Sequence, residues 1–263
     1  MTFQLAGNEP EIYEKILVPL WFRRWAGALN DVLALRPGES VLDVACGTGV
    51  TTRMAREKVA PGGTVTGLDV NASMIAKAKD LAAGQDIEWL EREASDSGLG
   101  SGTIDVVMSQ HGYHYFPDKP AALAEFQRVL TPGGRMGVSI WDGHSPYTSA
   151  VCMAVERHIS PEIAAKQRAQ RQTPSADVLA DQLGKAGFSE VRIVRQELRI
   201  DVPAARVFVP LHLGSMPIAD AFDALPDDRK AALIEDVEAE MRPYERGDRL
   251  VYTDAVHVAL GIR

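Results

Sequence analysis

The sequence predicts an α/β fold: a doubly wound, mostly parallel sheet of seven strands, the last antiparallel, with N-terminal helices and an inserted helical cap. Three observations carry this expectation. The stretch Val41 to Gly49, VLDVACGTG, sets apolar residues around one acid and then a small-residue loop, the pattern of a buried strand turning tightly into a helix. Strand-like and helix-like segments then alternate as far as Trp141, which is how βαβ units build a parallel sheet. A final alternating run, Val251 to Ile262, is expected to insert antiparallel beside the strand before it.

The elements follow in order. Asn8 caps a helix that opens with Glu9 and Pro10 and continues through Ile12, Ile16 and Leu17 until Pro19. A second helix carries Trp21, Phe22, Trp25, Leu29, Val32 and Leu33 as an apolar stripe. Arg36 to Glu39 is a turn into the first strand, and Thr51 to Val59 is the first crossover helix, closed by Pro61-Gly62-Gly63. Thr64 to Val70 is the second strand, with Asn71 capping the next helix. Asp86 to Glu91 is the third strand, and Thr103 to Ser109 is a continuous apolar fourth strand of the buried parallel kind. A helix over Asp118 to Leu130 and the turn Thr131 to Gly134 lead into the fifth strand, Arg135 to Trp141.

Beyond Trp141 the pattern becomes individual. A loop spans Asp142 to Pro146, a helix Tyr147 to Ile159, and a charged, solvated segment Lys166 to Gln172. Ser175 to Ala186 is helical up to Gly187, and Phe188 to Ile200 alternates as the sixth strand. From Val202 to Arg249, five prolines break a helical insertion into pieces. The expected organisation is one domain over residues 1–263. Within it, residues 9–35 form N-terminal helices, 37–141 the core, and 142–172 and 202–249 inserted cap segments.

At 263 residues and 46% hydrophobic content, the chain can bury one large core. A net charge of -8 with scattered basic residues argues against a nucleic-acid surface. Cys46 and Cys152 give no disulfide framework, so a reducing cytoplasm is the expected location. The first residues lack the basic and apolar regions of a secretory signal, and no run of about 20 apolar residues suits a bilayer. A monomer or homodimer is expected.

The corner at residues 41–49 decides what can be held. Gly47 and Gly49 let the backbone take positive φ and let a ligand approach the main chain of Ala45 and Cys46. A dinucleotide fold sets a third glycine three positions after the second, where this chain has Thr52. Asp43 inside the motif would repel a phosphate and welcome an ammonium, or a water holding one. Twenty residues on, Asp69 ends the second strand, placed to accept hydrogen bonds from two ribose hydroxyls.

With these residues the sequence resembles the class I S-adenosylmethionine-dependent methyltransferases, over roughly residues 37–141. Within them it looks closest to the branch of quinone-biosynthesis C-methyltransferases and bacterial small-molecule methyltransferases. The resemblance implies S-adenosylmethionine as cofactor, with S-adenosylhomocysteine as product. It also implies that Tyr13 on the lid, Met74 and Val70 beyond the second strand, and Gln110 and His111 after the fourth are cofactor contacts. Glu93-Ala94 matches the acid-Ala pair that meets adenine, although the loose linker from Ser97 to Gly102 leaves Glu93 and Asp96 both open for that role.

Methyl transfer needs an acceptor held close in a dry site, and a base only when the acceptor must lose a proton. His111 and His114 flank the carboxyl edge of the sheet and are the catalytic candidates; stacking near adenine or packing under the lid is their structural alternative. Tyr113, Tyr115 and Phe116 could bracket an aromatic acceptor, with His144 and Tyr147 behind them. No metal site is expected, because no carboxylate pair accompanies the two histidines. The expected function is methyl transfer from S-adenosylmethionine to an O, N or C atom of a small, largely apolar molecule. Alternatives are decarboxylation or cyclisation with the same cofactor, a nicotinamide oxidoreductase, and a non-catalytic binding module.

Overall fold

The computed structural model describes residue 11 and residues 13–263. Asn8, Glu9, Pro10 and Ile12, the expected start of the first helix, lie outside the described residues. The chain begins with a π-helical segment, α1 (Tyr13–Phe22), that runs directly into α2 (Arg23–Leu33). Next come β1 (Ser40–Val44), α3 (Val50–Val59), β2 (Thr64–Asp69), α4 (Ala72–Leu81) and β3 (Glu88–Glu91). They are followed by β4 (Ile104–Gln110), α5 (Lys119–Val129) and β5 (Leu130–Trp141).

Three helices, α6 (Pro146–His158), α7 (Pro161–Ala169) and α8 (Ala176–Lys185), precede β6 (Ser189–Pro203). The insertion holds α9 (Ala205–Leu213), α10 (Ala219–Asp223) and α11 (Asp227–Met241), and the chain closes with the two-residue β7 (Glu245–Arg246) and β8 (Arg249–Ile262). The sheet order is β3-β2-β1-β4-β5-β8-β6, with β7 paired to β8. The first five strands are parallel; β8 runs antiparallel between β5 and β6. The seven expected strands are therefore present, and β7 adds a short hairpin to the last.

Burial explains why these strands read as near-continuous apolar runs. Val41, Val106 and Met108 face one core, shared with α1, α2, α6, α9 and α11. Leu42, Val44 and Val107 face the other, shared with α5 and α8. Both faces of the parallel strands are covered, so polar alternation has no place in them.

Two expectations are corrected. The first helix does not stop at Pro19, which lies inside α1. A proline costs about 3 kcal/mol in an ordinary helix interior. Here π winding widens the turn around the ring, and burial of Leu17, Val18 and Trp21 contributes roughly 1.5–3 kcal/mol for each large side chain, so packing wins. The segment Lys166 to Gln172 is not a solvated run either. Lys166 and Gln172 are exposed, but Gln167 and Arg171 are buried, because the Arg171 charge meets Asp254 of β8 at 2.7 Å.

Candidate functional site

One cavity of about 300 Å³ opens along the carboxyl edge of the sheet, where strand ends and loops meet. Its first wall is the corner after β1. Ala45, Gly47 and Gly49 all have positive φ (57°, 56° and 81°). A Cβ on Gly49 would lie 2.3 Å from the Trp89 ring, whereas one on Gly47 would meet nothing within 4 Å. Gly49 is thus required by packing, and Gly47 keeps open the space a ligand would use. Thr48 below the loop donates its hydroxyl hydrogen to Glu14 of α1 at 2.6 Å, and Arg53 ties the same Glu14 at 2.7 Å.

Two acids stand at neighbouring strand ends. Asp43 is buried; one oxygen accepts from the Thr52 hydroxyl at 2.6 Å and the other has no partner among the described residues. Burial, reinforced by the charge of Asp69, pushes its pKa up to about 7. Asp69 accepts from the Gly47 amide and the Asn71 amide, both at 2.9 Å, and burial raises its pKa as well. Thr52, where a third glycine would stand in a dinucleotide site, therefore holds Asp43 in place. An unpartnered carboxylate oxygen in an apolar wall fits a cationic nucleoside better than a diphosphate.

Val70, Met74, Glu93, Ala94 and Tyr13 line the same cavity. Met74 is held there by the Asn71 side chain, which accepts from its amide at 3.2 Å and caps α4. Asp96 faces a separate depression with Glu93, so of the two acids left open only Glu93 reaches the main cavity. Gln110 bridges layers, accepting from the Thr51 hydroxyl at 2.5 Å and donating to the Phe22 carbonyl at 3.1 Å.

His111 also has positive φ (55°), and its ring stacks on Trp141 with centroids 3.8 Å apart. Neither ring nitrogen has a partner among the described residues. Burial, aided by His114 and Arg171, lowers its pKa well below the usual histidine value, so it is neutral at neutral pH. His114 does not line the cavity; it packs on Tyr115, and burial lowers its pKa to about 4. Tyr113 turns to the other core and bonds Gln182, while Tyr115 and Phe116 line the cavity. His144 is exposed, and Tyr147 is buried against His212 at 3.0 Å, with neither on the cavity wall.

The wall beyond β5 holds residues the sequence reading missed: Trp21, Phe22, Trp141, Gln170, Arg171 and His212. Arg171 binds both oxygens of Asp254 (2.9 and 2.7 Å), and its guanidinium carbon lies 3.7 Å from the Trp141 ring centre. A signal for it existed. Asp254 shares the inward register of β8 with Leu250, Tyr252 and Val256, and an acid in that position requires a buried cation. Among the described residues, no group of three or more His, Cys, Asp or Glu is arranged to hold a metal ion. None of the described helices is long and apolar enough to cross a membrane.

Comparison with known proteins gives the same reading of the core. A family model described as a methyltransferase domain matches residues 41–134. Nocamycin O-methyltransferase of Saccharothrix syringae is 30% identical over 258 residues, covering 92% of this chain and 91% of the relative. Demethylmenaquinone methyltransferase of Listeria welshimeri is 28% identical over 186 residues, 65% of this chain and 79% of the relative. A phosphoethanolamine N-methyltransferase 2 of Haemonchus contortus, solved with S-adenosyl-L-methionine, superposes with a TM-score of 0.60 at 16% identity, over 97% of this chain and 56% of that one. An S-adenosylmethionine-dependent methyltransferase from Aquifex aeolicus gives 0.53 at 15% identity, over 97% and 99%. At such identities the two structures speak for the fold alone.

Proposed function

The chain belongs to the class I S-adenosylmethionine-dependent methyltransferases, and we propose that it methylates an O, N or C atom of a small, largely apolar molecule made in secondary metabolism or of quinone type. The named activities of the Saccharothrix and Listeria relatives support an acceptor of that size. The observation that carries the reading is the pairing of Asp43 and Asp69, at the ends of adjacent strands, in one cavity with an aromatic wall.

S-adenosylmethionine supplies a methyl group on a sulfonium, already bonded to a good leaving group. The residues of the chain bind, orient and exclude water. Asp69 offers its remaining lone pairs to ribose, Glu93 and Ala94 meet adenine beside Met74 and Val70, and Asp43 faces the cationic end. Ala45, Cys46, Gly47 and Gly49 form the floor, and Tyr13 and Gln110 close it from α1 and β4. His111, neutral and with no ring partner among the described residues, positions the acceptor, and its lowered basicity makes it a weak base toward an acceptor that must lose a proton. His114 supports that loop from outside the cavity. Residues 13–35, 142–172 and 202–249 form the lid and cap around the acceptor, and residues 37–141 hold the cofactor.

The test is incubation with S-adenosylmethionine and a panel of flat apolar acceptors, scored by release of S-adenosylhomocysteine. Acceptor-dependent release supports methyl transfer. Acceptor turnover without release refutes it in favour of a reaction that retains the methyl group.

A further inference from the structure

Charge is distributed unevenly along the cavity. In sheet order Asp69 ends β2, Asp43 lies in β1, His111 follows β4 and Trp141 ends β5, with Asp254 on β8 next in line. At about 4.8 Å per strand, the acids and the Trp141 end are separated by roughly 10–15 Å. The buried charged group lining the far end is Arg171, 5% exposed and packed against Trp141 and Trp21.

A buried ion pair is a poor way to gain stability, since apolar residues of equal volume usually serve as well or better. Arg171 and Asp254 also differ in placement: the arginine lines the cavity, and the aspartate does not. Asp254 engages Nη1 and Nη2, and Nη1 also donates to the Gly143 carbonyl at 3.3 Å, whereas Nε of Arg171 makes no hydrogen bond among the described residues. Trp21, 3% exposed and also on the wall, has an Nε1–H with no partner among the described residues. Burial lowers the basicity of His111 and His212, and the guanidinium charge adds in the same sense, so the cationic member of the ion pair lines the cavity between neutral rings while its carboxylate partner stays off the wall.

We propose that Arg171 and the Trp21 Nε1–H form a subsite for an anionic oxygen, so that the methyl acceptor is a flat molecule bearing a carboxylate or an enolate-type oxyanion. This rests on the methyl-transfer reading above. A delocalised oxyanion has two ends; one is held by Arg171 while the other faces the methyl carbon. Its lone pair forms the carbon–oxygen bond, the pair of the broken carbon–sulfur bond stays with sulfur, and no proton has to leave. A cationic donor and an anionic acceptor neutralise each other, which suits an apolar cavity of low dielectric.

The test is calorimetry on the full chain saturated with S-adenosylhomocysteine, comparing naphthoate with naphthamide and nitronaphtholate with nitronaphthylamine. At least one anion should bind about tenfold or more tightly than its neutral counterpart, and the stronger anion tells carboxylate from enolate. The charge-neutral double variant Arg171→Gln, Asp254→Asn should keep S-adenosylhomocysteine binding and lose the preference. If that variant fails to fold, the wild-type comparison decides. Equal binding of anion and neutral probe, no binding of either anion at about millimolar concentration, or a preference that survives in the double variant overturns the proposal. A chain that takes up no S-adenosylhomocysteine defeats the methyl-transfer reading instead.

Discussion

At the scale of single residues the account rests on Asp43 and Asp69, whose roles differ. Asp69 shapes the loop by accepting from Gly47 and Asn71, so Asp69→Ala removes both the ribose contacts proposed for it and the amide alignment. Calorimetry with S-adenosylhomocysteine should show a loss of about 1.5–3 kcal/mol in binding. Asp43 predicts a pH dependence. Its pKa of about 7 means that the folded chain holds a proton there which the unfolded chain has already released, so its contribution to stability is full below the usual carboxylate range and falls as pH rises toward neutrality. Binding a cation favours the ionised form, so affinity for S-adenosylmethionine should increase about tenfold from pH ~5.5 to ~7. Asp43→Asn should remove most of that slope, leaving the part due to Asp69. The two glycines separate packing from binding. Gly49→Ala forces a Cβ into Trp89 and should lower stability by about 1–3 kcal/mol in denaturant unfolding, while Gly47→Val should chiefly weaken cofactor binding.

At the scale of elements, α1 forms one wall of the cavity and is tied to the glycine loop. Glu14 joins it to the glycine loop through the Thr48 hydroxyl and Arg53, and Arg53 also donates to the Thr48 carbonyl at 2.6 Å. Glu14→Ala should free α1 from the loop, raising hydrogen exchange over residues 13–22 and speeding cofactor dissociation, with the sheet amides unchanged. The strands and crossover helices were legible because their periodicity is a local property: Asn71 caps α4 as expected, and Asp118 and Ser175, where two further helices were expected to begin, are the caps of α5 and α8. The passage through Pro19 was not legible, since a proline stops a helix by local rules and only the burial of Trp21 and Leu17 overrides them. Likewise Arg171 sits in a charged stretch that reads as solvated; its burial depends on Asp254, 83 residues away.

At the scale of the whole molecule, the half of the cavity proposed for the cofactor is written in one contiguous stretch of chain, and the half proposed for the acceptor is assembled from distant ones. Asp43, Gly47, Gly49 and Asp69 fall within a single βαβ unit, so spacing alone brings them together. Trp21, Trp141, Arg171 and His212 come from four separate elements or loops, and only the insertion of β8 between β5 and β6 sets Asp254 where it can draw Arg171 inward. The central claim is that the corner after β1 receives a cationic thioether nucleoside whose sugar is gripped from β2. A crystal structure grown with S-adenosylhomocysteine tests it most directly. The account predicts the nucleoside along Ala45 to Gly49, with both ribose hydroxyls within hydrogen-bonding distance of Asp69 and the amino-acid end toward Asp43; the same nucleoside bound elsewhere, or with its sugar turned away from Asp69, would contradict it.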